Sequence, residues 1–329
     1  MIKLGLAGLA CSVAPCATQA RTVGPRQRVI VDNDFSGDPD GLVQLAHHLA
    51  SPSIDLALIV GSHIHVGDFL DKSDTQADNA VERVNELMAT MRLARRPRVV
   101  AGRNAARAPG QPPQATPAVR RIIAEAMRED TKLPLYYAAG AGLTEIAEAL
   151  AVEPGIARRL KLIWIGGMEH SDLTPGMPVR RDLEYNLTID LPAARSVFND
   201  SDVEIWQIPR NVYRQLIISN AELDQGLRSA GALGAFLSKH LARVQDTVRA
   251  NLGETYVLGD SPLVTATALQ SSFEPDSASS AYVVRPTPRL DAEGRYMPFA
   301  EGRPMRVYTS IDTRLTFADM FAKFSSVTL

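Results

Sequence analysis

The sequence predicts a single α/β domain built on a doubly wound, mainly parallel β-sheet. Short apolar runs typical of buried strands alternate with amphipathic segments of helical period along most of the chain. The 329 residues, 45% of them hydrophobic, are enough for one large domain with a sizeable core. No linker or internal repeat divides the chain. Alternating strands and helices of this kind give a parallel sheet that is covered on both faces.

The first predicted strand leads directly into a cluster of carboxylates. Residues 29–31 form an apolar run, and four acids follow within nine residues: Asp32, Asp34, Asp38 and Asp40. Residues 35–39 break the strand, and residues 42–49 have the pattern of a helix. In open α/β sheets, ligands bind outside the carboxyl ends of the strands, which is where this acidic turn is placed.

Four acids so close in sequence repel one another, so water or a cation must offset their charge. Carboxylates in this number suit a hard cation such as Ca²⁺ or Mg²⁺. The alternative is an ordinary acidic helix start, in which Asp38 and Asp40 cap the helix and complement its dipole. The clustering directly after a strand favours the cation.

The next elements continue the alternation. Strands are predicted at residues 54–61, 99–101, 133–138, 160–165 and 203–208. Helices are predicted at residues 72–91, 117–130, 143–152 and 190–199. A loop rich in glycine, proline, arginine and glutamine separates the third strand from its helix, and residues 168–188 form a second, polar loop. The second strand is followed by His63 and His65, at the same sheet edge as the acidic turn.

The C-terminal third begins with a helical region at residues 219–250. A further helix is predicted to begin with Asp260 at the N-cap and Pro262 in the first turn. Strands near 281–284 and 305–308 then precede a short final helix.

Residues 1–20 have the pattern of a secretory signal peptide: a positive start, an apolar stretch and small residues near the end. The mature domain is then 21–329, in the periplasm or outside the cell. A frayed apolar tail is the alternative, and a lipid anchor at Cys11 is a further one. Both cysteines, Cys11 and Cys16, lie in this segment, so the mature chain would have neither a disulfide nor thiol chemistry.

The charge and hydropathy of the chain exclude some classes of binding partner. A net charge of −2 gives no basic footprint for nucleic acid. No apolar run long enough to span a bilayer follows the N-terminal segment, so the mature form is predicted not to cross a membrane.

Five motifs occur in the order in which they occur in a known enzyme family. They are the aspartates of 32–40, Gly-Leu-Thr at 142–144, an apolar strand ending in Gly-Gly at 163–167, Glu-Tyr-Asn at 184–186 followed by Asp190, and Asp-Ser-Pro-Leu at 260–263. Together they resemble the motifs of inosine/uridine-type nucleoside hydrolases, over roughly residues 28–270. The resemblance implies a doubly wound core that binds one Ca²⁺ and hydrolyses the N-glycosidic bond of ribonucleosides.

The resemblance also implies a role for each matched residue. Asp34 would bind Ca²⁺ and take a proton from the attacking water. Asp40, Asp260 and the main-chain carbonyl of Gly140 would complete the protein ligands of the metal. One residue is inserted between the last two acids of the signature, which leaves open which acid takes which role.

The sugar contacts follow in the same way. Asp38 would accept a hydrogen bond from a ribose hydroxyl, while Glu184 and Asn186 would hold the 3′ and 5′ side. His65 lies near the position of a family active-site Asn. Positive charge develops on the ribose ring during cleavage, and these carboxylate and amide oxygens would stabilise it. The expected substrate is a nucleoside or a related ribosyl compound. The family is often oligomeric, so the resemblance leaves a homo-oligomer open.

Two departures from the family pattern bear on catalysis. The His that protonates the leaving base is Gly259 here, and the Asn of the Leu-Thr-Asn turn is Glu145. Loss of a general acid costs about 10²- to 10⁴-fold in rate when the leaving group needs a proton. Candidate replacements are His63, His65, Tyr185 and Tyr213. The alternative function is a ribose- or nucleoside-binding protein with impaired catalysis.

Overall fold

An eight-stranded sheet forms the centre of the computed structural model, which describes residues 23–178, 180, 182–248, 251, 253–270 and 280–327. In spatial order its strands are β3 (Arg98–Ala101), β2 (Ile54–Gly61), β1 (Gln27–Asn33), β4 (Leu135–Ala139), β5 (Leu160–Ile165), β6 (Glu204–Ile208), β12 (Pro304–Ile311) and β9 (Ser280–Pro286). Every pairing is parallel except that of β12 with β9. The strand order reverses between β1 and β4, which confirms the predicted doubly wound fold. The predicted signal peptide lies outside the described residues.

Helices and two small ribbons complete the described structure. The helices are α1 (Asp40–Leu49), α2 (Gln76–Thr90), α3 (Pro117–Ala126), α4 (Thr144–Val152), α5 (Tyr185–Ile189), α6 (Leu191–Asp200), α7 (Arg210–Tyr213), α8 (Asn220–Arg228), α9 (Gly231–Val248), α10 (Pro262–Thr267) and α11 (Thr313–Val327). The antiparallel ribbons pair β7 (Ile217–Ser219) with β8 (Thr255–Val257), and β10 (Arg289–Leu290) with β11 (Tyr296–Met297). None of the described helices combines the length and apolar character that a bilayer crossing requires.

The sheet has an apolar core on each face. Val29 and Val31 of β1 pack in one core with α1, α2, α9, α10 and α11, while Ile30 packs in the other with α3, α4 and α6. Successive side chains of a strand point to opposite faces, so burial on both sides requires the continuous apolar run seen at residues 29–31. Each fully buried Val or Ile stabilises the fold by about 1.5–3 kcal/mol. This core holds the acidic turn at the sheet edge.

Several local predictions were wrong. Asp260 is not the N-cap of α10, since that position belongs to Ser261 and no side chain caps the helix. The N-cap of α1 is Pro39, again without a side-chain cap. The polar loop at 168–188 contains the start of α5, and the final helix is 15 residues long rather than short. The acids at both helix starts are therefore available for other partners.

Candidate active site

Carboxylates from distant parts of the chain meet beside the switch between β1 and β4. Asp34 follows β1, Asp40 begins α1 and Asp260 precedes α10. All three are buried, and all three line one cavity of about 310 Å³ at the carboxyl edge of the sheet. The same cavity is lined by four more of the predicted site residues: Asp38, Gly140, Glu184 and Asn186. The fold thus brings together seven of the eight residues that the sequence indicated, with His65 as the exception.

Asn33, the last residue of β1, ties the acidic turn to Asp260. Its side-chain amide donates to Asp260 Oδ2 at 2.8 Å and to Gln44 Oε1 at 3.2 Å. Its amide oxygen accepts from the Asp34 backbone N–H at 2.9 Å. The backbone N–H of Asp260 donates to Asp40 Oδ2 at 3.1 Å. These bonds hold Asp260 beside Asp34 and Asp40, from which the chain separates it by more than 200 residues.

The three buried acids destabilise one another's charged forms. Burial is the largest cause that raises the pKa of Asp34, followed by repulsion from Asp260 and Asp38. The pKa of Asp40 is raised in the same way. Burial also raises the pKa of Asp260, although the hydrogen bond from Asn33 partly opposes it. A bound proton or a bound cation would relieve this repulsion.

The donor chemistry of the cavity fits a hard cation. Asp34, Asp40, Asp260 and the Gly140 carbonyl supply only oxygen atoms, which Ca²⁺ and Mg²⁺ prefer. Within the described ranges, however, no three Asp, Glu, His or Cys side chains lie close enough to form a finished metal site. The Gly140 carbonyl accepts from Asn186 Nδ2 at 2.9 Å. The residues therefore suit the cation chemically and would have to close around it.

Glu184 is buried and receives four internal hydrogen bonds. Its carboxylate accepts from the backbone N–H groups of Gly167 at 2.8 Å, Leu187 at 2.9 Å and Asn186 at 3.1 Å, and so caps α5. The Tyr213 hydroxyl donates the fourth bond at 2.9 Å. Burial raises the pKa of Glu184 and these donors oppose the rise. Glu184 therefore holds the cavity wall in one conformation as well as presenting negative charge to it.

Two further side chains at the cavity were missed by the sequence analysis. Asp68, in the loop after β2, lines the cavity and accepts from the Tyr185 hydroxyl at 2.6 Å. Tyr256, on β8, donates its hydroxyl to Asp38 Oδ1 at 2.6 Å. Asp34 directly follows its strand, whereas Asp68 lies in the loop well beyond the end of β2, so a rule based on strand ends does not single it out. Tyr256 comes from a three-residue strand that leaves no periodic signal.

The four candidate replacements for the leaving-group acid lie in different environments. Tyr185 and Tyr213 line the cavity, and both hydroxyls donate to carboxylates. His65 contacts the edge of the Tyr185 ring, with 4.9 Å between ring centroids, and its Nε2 pairs with Thr188 Oγ1 at 2.9 Å. His63 is buried and bonded to α4. Neither histidine is among the residues that line the cavity in the described structure.

Tyr213 occupies the space beside Gly259. A Cβ atom at Gly259 would lie 3.2 Å from Tyr213 Cδ2 and 3.4 Å from Asp40 Oδ2. The described wall of the cavity carries one cationic side chain, Arg214. The side of the cavity that lacks the family's histidine is therefore formed by a tyrosine ring with an arginine next to it in the chain.

The comparisons with known proteins agree with the fold. The family model described as inosine-uridine preferring nucleoside hydrolase matches residues 29–322. The chain belongs to this nucleoside hydrolase family. The comparison with curated proteins gave no match.

Solved nucleoside hydrolases share the architecture over nearly their whole length. A purine-preferring ribonucleoside hydrolase from Gardnerella vaginalis has 18% identity and a TM-score of 0.65, covering 92% of this chain and 99% of that one. A plant nucleoside hydrolase has 18% identity and a TM-score of 0.67, with 92% and 100% covered. An inosine-uridine preferring enzyme from Bacillus anthracis has 16% identity and a TM-score of 0.64, with 91% and 99% covered. At such identities the likeness shows the fold.

In this nucleoside hydrolase, Gly140 has to be glycine because the Asn33 side chain lies against it. A Cβ atom at Gly140 would lie 2.4 Å from Asn33 Nδ2. We expect Gly140→Ala to displace Asn33, release Asp260 and lower the free energy of unfolding by about 1–3 kcal/mol. Urea denaturation measures this change. Gly24→Ala is the control, because nothing lies within 4 Å of a Cβ atom there; equal stability of the two variants would contradict the tie through Asn33.

Proposed function

We propose that this protein is a Ca²⁺-dependent hydrolase of the N-glycosidic bond of a ribonucleoside or a related ribosyl compound. The observation that carries the proposal is the meeting of Asp34, Asp40, Asp260 and Gly140 at one cavity, at the switch point of a nucleoside hydrolase fold. The same site could serve a Mg²⁺ ion by its donor chemistry, so the choice of Ca²⁺ rests on the resemblance to the family.

When bound, the cation would lower the pKa of a water molecule and orient the sugar diol. Asp34 would accept a proton from the attacking water, and the water oxygen would form a bond to C1′. The bond between C1′ and the base nitrogen breaks, and the electron pair leaves with the base. Positive charge develops on the ribose ring, and the surrounding carboxylates stabilise it.

The hydrogen-bond pattern indicates which oxygen atoms of Asp38 and Asn186 are free to accept a hydrogen bond from the sugar. Asp38 Oδ1 is engaged by Tyr256, so its second oxygen is the one available to a ribose hydroxyl. Both amide hydrogens of Asn186 are used, since Nδ2 donates to the carbonyls of Gly140 at 2.9 Å and Ile165 at 2.8 Å. The amide oxygen of Asn186 therefore remains to accept from the sugar.

The leaving group decides between catalysis and binding. With Gly259 in place of a histidine, no histidine on the described cavity wall can protonate the departing base. Arg214 can attract a base that departs with negative charge. We therefore expect fast cleavage of compounds with a stable anionic leaving group and slow cleavage of ordinary purine nucleosides. The same observation favours the second candidate function, a ribose- or nucleoside-binding protein.

One experiment separates the two functions. We expect the pure protein to release ribose from a panel of ribonucleosides and p-nitrophenyl riboside, to lose this activity in EDTA and to regain it with added Ca²⁺. The rate on p-nitrophenyl riboside should exceed that on inosine by about 10²-fold or more, because only inosine needs an acid. Release of ribose from none of these compounds, together with calcium-dependent ribose binding, would establish the binding protein instead.

We also infer that the protein is exported from the cytoplasm. The signal-peptide pattern of residues 1–20 supports a periplasmic or secreted protein. A measurement of the protein's molecular mass in solution distinguishes a monomer from a homo-oligomer.

A further inference from the structure

A second and larger cavity lies at the opposite edge of the sheet. It has a volume of about 690 Å³ and includes Ile54 and Arg98, the first residues of β2 and β3. The proposed active site lies beyond the carboxyl ends of the same strands. The eight residues of β2 extend about 26 Å at 3.3 Å per residue, so the two cavities are well separated.

Arginines dominate the polar wall of this cavity, which we call the arginine cavity: Arg95, Arg96, Arg98, Arg121 and Arg128. They come from the turn before β3, from β3 itself, from α3 and from the segment after α3. The floor between them is partly apolar, formed by half-buried Leu49, Leu56 and Leu93. The whole chain has a net charge of −2, so this concentration of positive charge is local.

Most of this positive charge has no counter-charge within the described part of the chain. Among the residues that the structure describes, the side chains of Arg95, Arg96, Arg98 and Arg121 make no hydrogen bond or ion pair. Arg128 differs, since it bonds Asp130 Oδ1 at 2.9 Å and Glu125 Oε1 at 3.1 Å. Four exposed guanidinium groups around one concavity therefore keep their donors for a ligand.

The acids on the wall do not cancel this charge. Glu125 Oε1 already accepts from Arg28 Nη1 at 2.6 Å, which leaves Asp55 as the other carboxylate. His48 also lines the cavity and contributes no charge, because burial lowers its pKa to about 3. A surplus of positive charge remains after these groups are included.

We propose that the arginine cavity binds a small ligand through its phosphate group. The planar guanidinium group presents its donors in a fork that matches phosphate oxygens in pairs. A concave wall of one charge sign concentrates field and attracts the opposite ion more strongly than a flat surface does. The partly apolar floor can contact the organic part of such a ligand, and a concavity of this volume fits a small molecule rather than an extended polyanion.

Inorganic pyrophosphate is the first probe, with EDTA present so that no metal ion can bridge it to the acidic site. We expect isothermal titration calorimetry to show saturable binding of one pyrophosphate to the wild type. The double variant Arg96→Gln/Arg98→Gln should bind at least 10-fold more weakly. The matched control is Arg228→Gln/Arg314→Gln, which removes two exposed arginines away from the cavity and should bind as the wild type does.

Competition identifies the ligand chemistry. AMP is expected to displace pyrophosphate, whereas adenosine is not, because it lacks the phosphate. The proposal is overturned by an absence of saturable binding to the wild type, by equal affinity of the two double variants, or by displacement with adenosine. Displacement by a DNA duplex that binds more tightly than AMP would also overturn it. Circular dichroism of the variants confirms folding, and none of these outcomes depends on hydrolase activity.

Discussion

Replacing Asp34 by asparagine is expected to abolish hydrolysis while making the cation-free protein more stable. An amide cannot accept the proton of the attacking water, so kcat should fall by about 10³-fold. The same change removes one charge from a buried cluster in which burial and repulsion from Asp260 raise the pKa of Asp34. Because the charged form of this buried carboxyl is disfavoured, the free energy of unfolding in EDTA should rise.

The measurement combines ribose release with urea denaturation in EDTA. Asp224→Asn, at an exposed position of α8, is the control and should change neither quantity. Activity lost together with stability would mean that Asp34 is needed for the fold rather than for the reaction. Activity retained at the wild-type level would exclude Asp34 as the base.

Part of the site could be predicted from the local sequence and the topology, without the resemblance to the family. The apolar run at 29–31 predicts a strand buried on both faces, and the doubly wound arrangement then places the carboxyl ends of the parallel strands at one edge. Asp34, directly after β1, and Gly140, directly after β4, reach the cavity for this reason alone. Position along the alternation of strands and helices therefore placed Asp34 at this edge, whereas the role of Gly140 came from the resemblance to the family.

The rest depends on contacts between segments that no local pattern encodes. Asp260 before Pro262 has the local signature of a helix cap, yet a hydrogen bond from Asn33 holds its carboxylate at the acidic turn. Tyr256 reaches Asp38 only because a three-residue strand pairs with β7. The arginine cavity likewise assembles from segments that carry no shared motif. Contacts between side chains that are far apart in the sequence leave no local pattern, so they could not be predicted from it.

Glu145 is a second buried acid whose environment opposes its charge. It replaces the asparagine of the family's Leu-Thr-Asn turn, and it is 1% exposed in α4. Oε1 accepts from the Arg103 backbone N–H at 2.7 Å, whereas Oε2 has no hydrogen-bond partner in the described part of the chain. Burial, and then repulsion from Asp32, raises the pKa of Glu145 to about 7. At neutral pH this carboxyl therefore lies close to its titration midpoint.

The raised pKa makes stability fall as the pH rises. Between the unfolded pKa of about 4.3 and the folded pKa of about 7, the folded state holds a proton that the unfolded state has released. Ionisation of Glu145 thus destabilises the fold progressively across this window, and the effect is complete by pH 8. Glutamine, a neutral side chain of the same shape, does not ionise and therefore does not lose stability as the pH rises.

Glu145→Gln is accordingly expected to match the wild type at pH 4, below the unfolded pKa, and to exceed it by about 3 kcal/mol at most in free energy of unfolding at pH 8. Urea denaturation at both pH values, in EDTA, measures the difference. Glu148→Gln on the same helix is the matched comparison with the opposite sign, because Glu148 Oε1 pairs with Arg107 Nε at 2.5 Å and that ion pair would be lost. If Glu145→Gln lowered stability at pH 8 as Glu148→Gln does, the carboxylate at Glu145 would have to be stabilised by a partner, and burial would not govern its pKa.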